Sequence, residues 1–323
     1  MKQVLSVALL SASLTAALSI SASAQNFPTK PVTMYVIVAT GNPMSSLARL
    51  IADKLEQKWK QTVIVENKPG GGGLVATELI KRADPDGHSL LFTADAMTAY
   101  RLFNKDTNFD PNNDLAPVSL VAEVKALAVF TNAKVPAKTL DEFIAYGKAN
   151  PGKMNFAVLP QSQQQLESIK FLKWAGLDMA AVPYPGGSGT VLPALLTNDV
   201  QMYLASWTAM SQHVATGALL PLVQFSDKRE PEMPNVPTLK EKGSDQVTSF
   251  WYAFFAPKAT PAAITNKISA DMQEVMKQPE MMERVKGLGM VPQAMTPQET
   301  AARVARDTAV RTQIAKDANI QPQ

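Results

Sequence analysis

Short apolar segments alternate along the chain with segments whose apolar residues recur at helical spacing, and this alternation limits the possible folds most. In the first part of the chain, the predicted strands are residues 35–38, 62–66 and 89–93, and the predicted helices are residues 46–59 and 74–82. Strands that alternate with helices form a parallel sheet covered by helices. The sequence therefore predicts an α/β fold.

The alternation stops at a predicted strand, residues 125–131, and then begins again. A second series of strands is predicted at residues 154–158, 180–183, 200–205 and 220–225. A further strand, residues 249–255, then leads back to three C-terminal helices. We therefore expect two α/β lobes joined by two crossing strands, with a ligand cleft between them. The first lobe would be residues 25–127 with 248–323, and the second residues 128–247.

The loop after the first predicted strand has features of an anion site. Gly41 permits a tight turn, and Pro43 suits the first turn of a helix, where its missing N–H has no consequence. Free backbone N–H groups at the start of a helix attract anions. Most junctions of this kind bind nothing, so this loop alone leaves both interpretations open.

Residues 1–24 have the three parts of a secretory signal peptide. Lys2 gives a basic start, residues 4–20 are apolar, and Ala22-Ser23-Ala24 matches a cleavage pattern. We expect cleavage after Ala24 and export of a freely soluble protein, with an N-terminal membrane anchor as the alternative. The chain has no cysteine, so neither disulfides nor a lipid-anchored N-terminus is expected.

Charge and motif content argue against several other classes of protein. The formal net charge is +3, or +2 once Lys2 is removed, and the basic residues are scattered, so nucleic-acid binding is not expected. His88 and His213 are the only histidines and lie far apart, so neither a metal site nor a cofactor is expected. The sequence has no G-x-S-x-G elbow and no P-loop. The glycine-rich residues 70–73 are interpreted as a surface hairpin loop.

A series of short motifs covers nearly the whole chain. The motifs are Ala48-Arg49-Leu50, Val-Glu-Asn-Lys-Pro-Gly at 65–70, Pro85-Asp86-Gly87, Pro117-Val118, Ala-Asn-Pro-Gly-Lys at 149–153, Val182-Pro183-Tyr184, Val236-Pro237-Thr238 and Ala256-Pro257. In order and spacing they resemble the Bug family, the periplasmic solute-binding receptors of tripartite tricarboxylate transporters.

This resemblance implies a type II periplasmic-binding-protein-like fold that closes on a small organic carboxylate. It also implies a periplasmic location and membrane permease subunits as partners. We expect a monomer and no enzymatic activity. The alternatives are a ligand-sensing receptor for a membrane signalling partner and an enzyme on the same fold.

The loops that would hold the ligand depart from the family pattern. The family's first loop usually reads P-G-G-x-x-D, and its loop after the strand at 154–158 often reads G-x-G-S-x-x-H. This chain has Gln165 in place of the histidine and Pro185 in place of a lysine that is usual after Val-Pro-Tyr. No obvious cation remains for a second or third carboxylate, and a buried unpaired charge is costly. We expect a carboxylate of low total charge, with loss of ligand binding as the alternative.

The predicted ligand-binding residues follow strands that should end at one face of the cleft. They are Thr40, Gly41, Asn42, Ser45, Ser46, Asp95, Gln161, Ser162, Gln165, Tyr184, Gly186, Ser188 and Ser206. Helix capping is the alternative role of Ser46 and Ser162, and solvation is the alternative for Asp95. Trp251 and Tyr252 alternate on a crossing strand, so one can face the cleft, although core packing is the default for each.

Overall fold

The computed structural model describes residues 27–160, 162–184 and 188–317. The predicted signal peptide, its cleavage after Ala24, and the predicted site residues Gln161 and Gly186 lie outside the described residues. Within the described ranges, no helix combines the length and the apolar character needed to cross a bilayer.

The strands fall into two groups along the chain. In chain order they are β1 (Val32–Val36), β2 (Val63–Asn67), β3 (Ser89–Ala94), β4 (Leu115–Val124), β5 (Leu127–Asn132), β6 (Met154–Val158), β7 (Met179–Pro183), β8 (Met202–Ser206), β9 (Leu219–Gln224), β10 (Phe250–Pro257) and β11 (Val291–Pro292). One sheet has the order β11-β4-β10-β3-β1-β2, and the other has the order β7-β6-β8-β5-β9.

Helices cover both sheets. In chain order they are α1 (Pro43–Trp59), α2 (Leu74–Lys81), α3 (Tyr100–Phe103), α4 (Leu140–Ala149), α5 (Gln163–Ala175), α6 (Ser188–Thr197), α7 (Trp207–Ala215), α8 (Ala262–Met276), α9 (Pro279–Gly287) and α10 (Pro297–Asp317). Polar side chains define several starts: Asn42 caps α1, Thr139 caps α4 and Ser162 caps α5.

Strand β10 is an inner strand of the first sheet. It is antiparallel to both β3 and β4, whereas β1 is parallel to β2 and β3. Trp251 and Phe254 are fully buried, and the ring of Phe254 stacks on that of Phe92 with centroids 4.2 Å apart. Burial of these large apolar side chains on the faces of the sheet holds β10 in place.

The two sheets form the two α/β lobes that the sequence predicts. The chain passes to the second sheet between β4 and β5 and returns between β9 and β10. Helices α8 and α10 pack against β4, so the C-terminal helices belong to the first lobe. The finer limits of the lobes, residues 25–127 with 248–323 and residues 128–247, stay predictions.

The sequence analysis missed one strand, and one of its local predictions is wrong. Strand β4 was not predicted for two reasons. It contains Pro117, and proline argues against a strand. Its residues from Val118 to Val124 are all buried, so the segment lacks the regular alternation of apolar and polar residues that marks a half-buried strand. Residues Gly71–Gly73 form a 3₁₀ turn that leads into α2, not a hairpin loop. A Cβ on Gly73 would lie 3.2 Å from two Ile37 atoms, so this turn needs glycine for close packing as well as for its φ of +114°.

Candidate functional site

Two cavities lie on opposite faces of the crossing segments, which are the two stretches of chain that join the lobes, from the end of β4 to β5 and from β9 to the start of β10. Glu123 and Ser249 line one cavity of about 770 Å³, whereas Val124 and Phe250 line another of about 460 Å³. Successive residues of a strand point to opposite faces, so these neighbouring positions separate the two cavities. We call the larger one the rear cavity and the smaller one the interlobe cavity.

Ion pairs occupy the wall of the rear cavity. Arg303 forms ion pairs with Glu123 and, at 2.8 Å, with Asp307, and it donates a hydrogen bond to Ser249 Oγ at 2.8 Å. Burial alone would raise the pKa of Asp307, but the neighbouring Arg303 guanidinium holds it below its ordinary value. These charges therefore satisfy one another and tie α10 to both crossing segments, which is a structural role.

Both lobes contribute to the interlobe cavity. From the first lobe it is lined by Asn42, Pro43, Tyr252, Leu288, Gly289 and Met290. From the second lobe its lining includes Leu159, Gln164, Ser188, Tyr203, Ser206 and Thr208. The cavity thus lies where the loops after the strands of both lobes meet, which is the expected place for a ligand in open α/β sheets.

On the side of the second lobe, hydrogen bonds fix the cavity wall. Gln164 Oε1 accepts a hydrogen bond from the Leu159 N–H at 2.9 Å, and its Nε2 donates to the Leu204 carbonyl oxygen. The hydroxyls of Ser188 and Tyr203 are hydrogen-bonded at 3.0 Å. These bonds join the starts of α5 and α6 to β8, so this wall is preformed.

On the side of the first lobe, Asn67 organises the loop before α1. Its Oδ1 accepts hydrogen bonds from Thr40 Oγ1, Ser45 Oγ and Arg49 Nη2 at 3.2–3.3 Å, and its Nδ2 donates to the Val38 carbonyl oxygen at 2.7 Å. Asn67 was not predicted as a site residue, although it belongs to the motif at residues 65–70. It holds the loop without lining the cavity.

The start of α1 offers fewer anion donors than the sequence suggests. Pro43 has no N–H, and Asn42 Oδ1 already accepts a hydrogen bond from the N–H of Met44 at 2.9 Å.

Of the two predicted helix caps, one is wrong and one is confirmed. Ser46 does not cap α1, because Asn42 has that role. Ser162 caps α5: its hydroxyl oxygen accepts a hydrogen bond from the Gln165 N–H at 3.2 Å.

The structure brings together only part of the predicted site. Asn42, Ser188 and Ser206 line the interlobe cavity. The other described members do not: they are Thr40, Gly41, Ser45, Ser46, Asp95, Ser162, Gln165 and Tyr184. Thr208, Gln164 and Gly289 line the cavity but were missed, and the first two follow predicted residues by two positions. The assignment of ligand contacts stays a prediction.

Asp95 is buried, and solvation of this residue is therefore wrong. Its carboxylate accepts a hydrogen bond from Arg311 Nη2 at 2.7 Å, in a pair that links the end of β3 to α10. Burial raises the pKa of Asp95 to about 6; the Arg311 charge opposes this rise, and the Asp307 charge adds to it.

The pKa of Asp95 predicts a pH dependence of stability. Between pH 4 and 6 the native carboxyl holds a proton that the unfolded chain has lost, so this group's contribution to the free energy of unfolding falls by about 3 kcal/mol as the pH rises. Asp95→Asn removes the titration. The stability of the wild type relative to Asp95→Asn should therefore fall from pH 4 to 6 and then level off, as measured by urea unfolding. A difference that rises over this range would contradict the expectation.

The described lining of the interlobe cavity contains no charged side chain. Gln161 and residues 185–187 are also uncharged in the sequence. Within the described ranges, no group of three or more histidine and acidic side chains is arranged to hold a metal ion. The cavity can therefore bind through neutral hydrogen-bonding groups and apolar contacts.

Tyr252 faces the interlobe cavity, as does Phe250 two positions earlier on β10. Its neighbour Trp251 is fully buried and donates its Nε1–H to Asp307 at 2.8 Å. The predicted alternation therefore holds: Trp251 lies in the core, whereas the half-buried Tyr252 both packs against the core and lines the cavity. Burial raises the pKa of Tyr252 to about 12, so its hydroxyl is a neutral donor at physiological pH.

Comparison with known proteins agrees with this architecture. The sequence profile described as "Tripartite tricarboxylate transporter family receptor" matches residues 47–320. The chain is 33% identical to the "UPF0065 protein in gbd 5'region" of Cupriavidus necator over 289 residues, which is 88% of this chain and 86% of the relative.

Solved structures are similar as well. The periplasmic binding protein BugD superposes with a TM-score of 0.78 at 27% identity, covering 92% of this chain and 100% of BugD. The R. palustris protein Rpa4515, solved with adipate, superposes with a TM-score of 0.81 at 26% identity, covering 92% of this chain and 100% of that protein. These likenesses confirm the predicted two-lobed periplasmic-binding fold.

Proposed function

The chain belongs to the family of tripartite tricarboxylate transporter receptors, and from this we propose that its interlobe cavity captures a small carboxylate of low charge and presents it to a permease. The observation that carries the proposal is a cavity of about 460 Å³ between the lobes whose described lining has no charged side chain. Its volume lies in the range of small-molecule sites.

The polarity of the cavity supports a ligand with few charges. The related Rpa4515 was solved with adipate, a linear acid with two carboxyl groups. In this chain a second or third carboxylate would be buried next to neutral groups only, and an unpaired buried charge is costly. A single carboxylate can be stabilised by hydroxyls and by the backbone N–H groups at the start of α7, where Ser206 and Thr208 line the cavity.

The remaining parts of the proposal follow from the family and the sequence. We infer export with cleavage after Ala24, a monomeric receptor, and a membrane permease of the tripartite tricarboxylate type as its partner. Enzymatic activity has no support at this site, because no described His, Lys, Asp or Glu lines the cavity to activate the hydroxyls there.

Thermal-shift screening of small organic acids tests the proposed function. A ligand at 100 times its dissociation constant adds about 2.7 kcal/mol of stability, which should raise Tm by roughly 4–10 °C in a protein of this size. Ala209→Trp, which fills the cavity, should abolish the shift. Ala215→Trp, an exposed position at the end of the same helix, should preserve it.

Two results would overturn parts of this proposal. If no organic acid shifts Tm, the receptor has lost binding or has another class of ligand. If citrate gives the largest shift and monocarboxylates give none, the argument from charge is wrong.

A further inference from the structure

The interlobe cavity has an apolar wall that is more extensive than a short, highly polar acid needs. Val124, Leu159, Leu204, Phe250, Leu288 and Met290 all contribute to its lining. Contact with such a wall is favourable when the ligand also removes apolar surface from water. The wall therefore fits a ligand with an apolar body.

Two aromatic side chains stand side by side on this wall. Phe250 and Tyr252 are two positions apart on β10, so both point to the same face of the strand, and both are half-buried. Tyr252 also packs edge-on against the buried Phe92, with ring centroids 6.2 Å apart. A flat ring can stack on, or meet the edges of, such a pair.

Three hydroxyls on the cavity wall make no hydrogen bond to any described residue. They belong to Tyr252 in the first lobe and to Ser206 and Thr208 in the second. The hydroxyls of Ser188 and Tyr203, by contrast, bind each other. The three unpaired hydroxyls are neutral donors on facing lobes, and a carboxylate accepts such bonds strongly.

We propose that the interlobe cavity takes a monocarboxylate whose body is an apolar ring, and that the Tyr252 hydroxyl is the specificity-determining group of the first lobe. This inference rests on the proposed function and adds the chemical class of the ligand. The ring lies against the wall that includes Phe250, and the carboxylate accepts hydrogen bonds from Tyr252 and from the start of α7.

Titration calorimetry with benzoate, hexanoate, adipate and citrate tests the class of ligand. We expect benzoate to bind at least about tenfold more tightly than adipate or citrate, and more tightly than hexanoate. If hexanoate binds more tightly than benzoate, and Ala209→Trp abolishes that binding, the proposed function stands and this inference is overturned. If adipate or citrate binds most tightly, both this inference and the low charge of the proposed ligand are overturned. If none of the four acids binds, this inference is overturned, and the thermal-shift screen of other organic acids decides the proposed function.

The variant Tyr252→Phe tests the specific residue. It should weaken benzoate binding by about tenfold or more, because a hydrogen bond to a charged group is lost. The Tm of the ligand-free protein should not change, because the hydroxyl has no partner among the described residues. Tyr35→Phe, a half-buried β1 position outside the cavity, is the matched control and should bind as the wild type does. Unchanged benzoate affinity in Tyr252→Phe would overturn the role of Tyr252.

Discussion

Replacing Arg311 by methionine is expected to lower the free energy of unfolding by about 3–5 kcal/mol at pH 7, because it leaves a buried carboxylate without its cation. The Arg311 side chain is only 1% exposed. It donates to the Asp95 carboxylate at 2.7 Å and also to Thr98 Oγ1 and Gln163 Oε1. Urea unfolding followed by circular dichroism measures the loss.

Arg306→Met is the matched control on the same helix. The Arg306 side chain is 63% exposed and pairs with Asp307 at 3.2 Å, so its removal should change stability by less than about 1 kcal/mol. The double variant Asp95→Leu with Arg311→Met removes both buried charges and should regain a large part of the loss. Equal losses for Arg306→Met and Arg311→Met would contradict the importance of the buried pair.

Gly289→Ala is expected to weaken ligand binding by about tenfold or more, which corresponds to at least about 1.4 kcal/mol. Gly289 follows α9 in the first lobe and faces Thr208 of α7 in the second, at the edge of the interlobe cavity. A Cβ on Gly289 would lie 2.7 Å from Thr208 Cγ2 and 2.8 Å from Thr208 Cβ. The added methyl group therefore holds the lobes apart and disfavours the state that binds ligand.

Gly217→Ala is the control that distinguishes the effect of the contact with Thr208 from the effect of backbone strain. Gly217 has a φ of +74°, almost the same as the +75° of Gly289, but a Cβ there would have no neighbour within 4 Å. Both variants should therefore be destabilised to a similar extent by the alanine in the left-handed region. Only Gly289→Ala should lose affinity for the acid that gives the largest thermal shift. Equal loss in both glycine variants would show that the lobe contact is unimportant.

Periodicity explains why most of the fold could be predicted from the sequence. The strand Met154–Val158 was predicted with its observed limits, because its apolar run lies between a Pro-Gly-Lys turn and a polar loop. The first strand was placed three residues too late, since Val32 to Met34 follow Pro31 and resemble a loop in isolation. Strand β4 could not be predicted, because its pairing with β10 decides its conformation and no local pattern indicates a partner so distant in sequence.

The candidate site was less predictable than the fold. Sequence reasoning found Asn42, Ser188 and Ser206, because they sit where strands end and helices begin. It could not find the partner of Asp95, since Arg311 lies 216 positions away and is recognisable only in three dimensions. Alternation on β10 did predict that one of Trp251 and Tyr252 faces the cleft. Which of the two does so is seen only in the structure, where Trp251 is turned away from the cleft and donates a hydrogen bond to Asp307.

The inner position of β10 also sets the order in which a growing chain can complete its two sheets. Every strand of the second sheet lies between Leu127 and Gln224, so that sheet has all its parts once these residues have been synthesised. The first sheet still lacks β10, which begins at Phe250, and β11, which begins at Val291. Until β10 is added, β3 has unpaired backbone groups along one edge and β4 has no partner strand. The first lobe therefore begins first in the sequence but is completed last. The pairing of β10 with β3 and β4 joins residues far apart in the chain, and such contacts form more slowly than local ones.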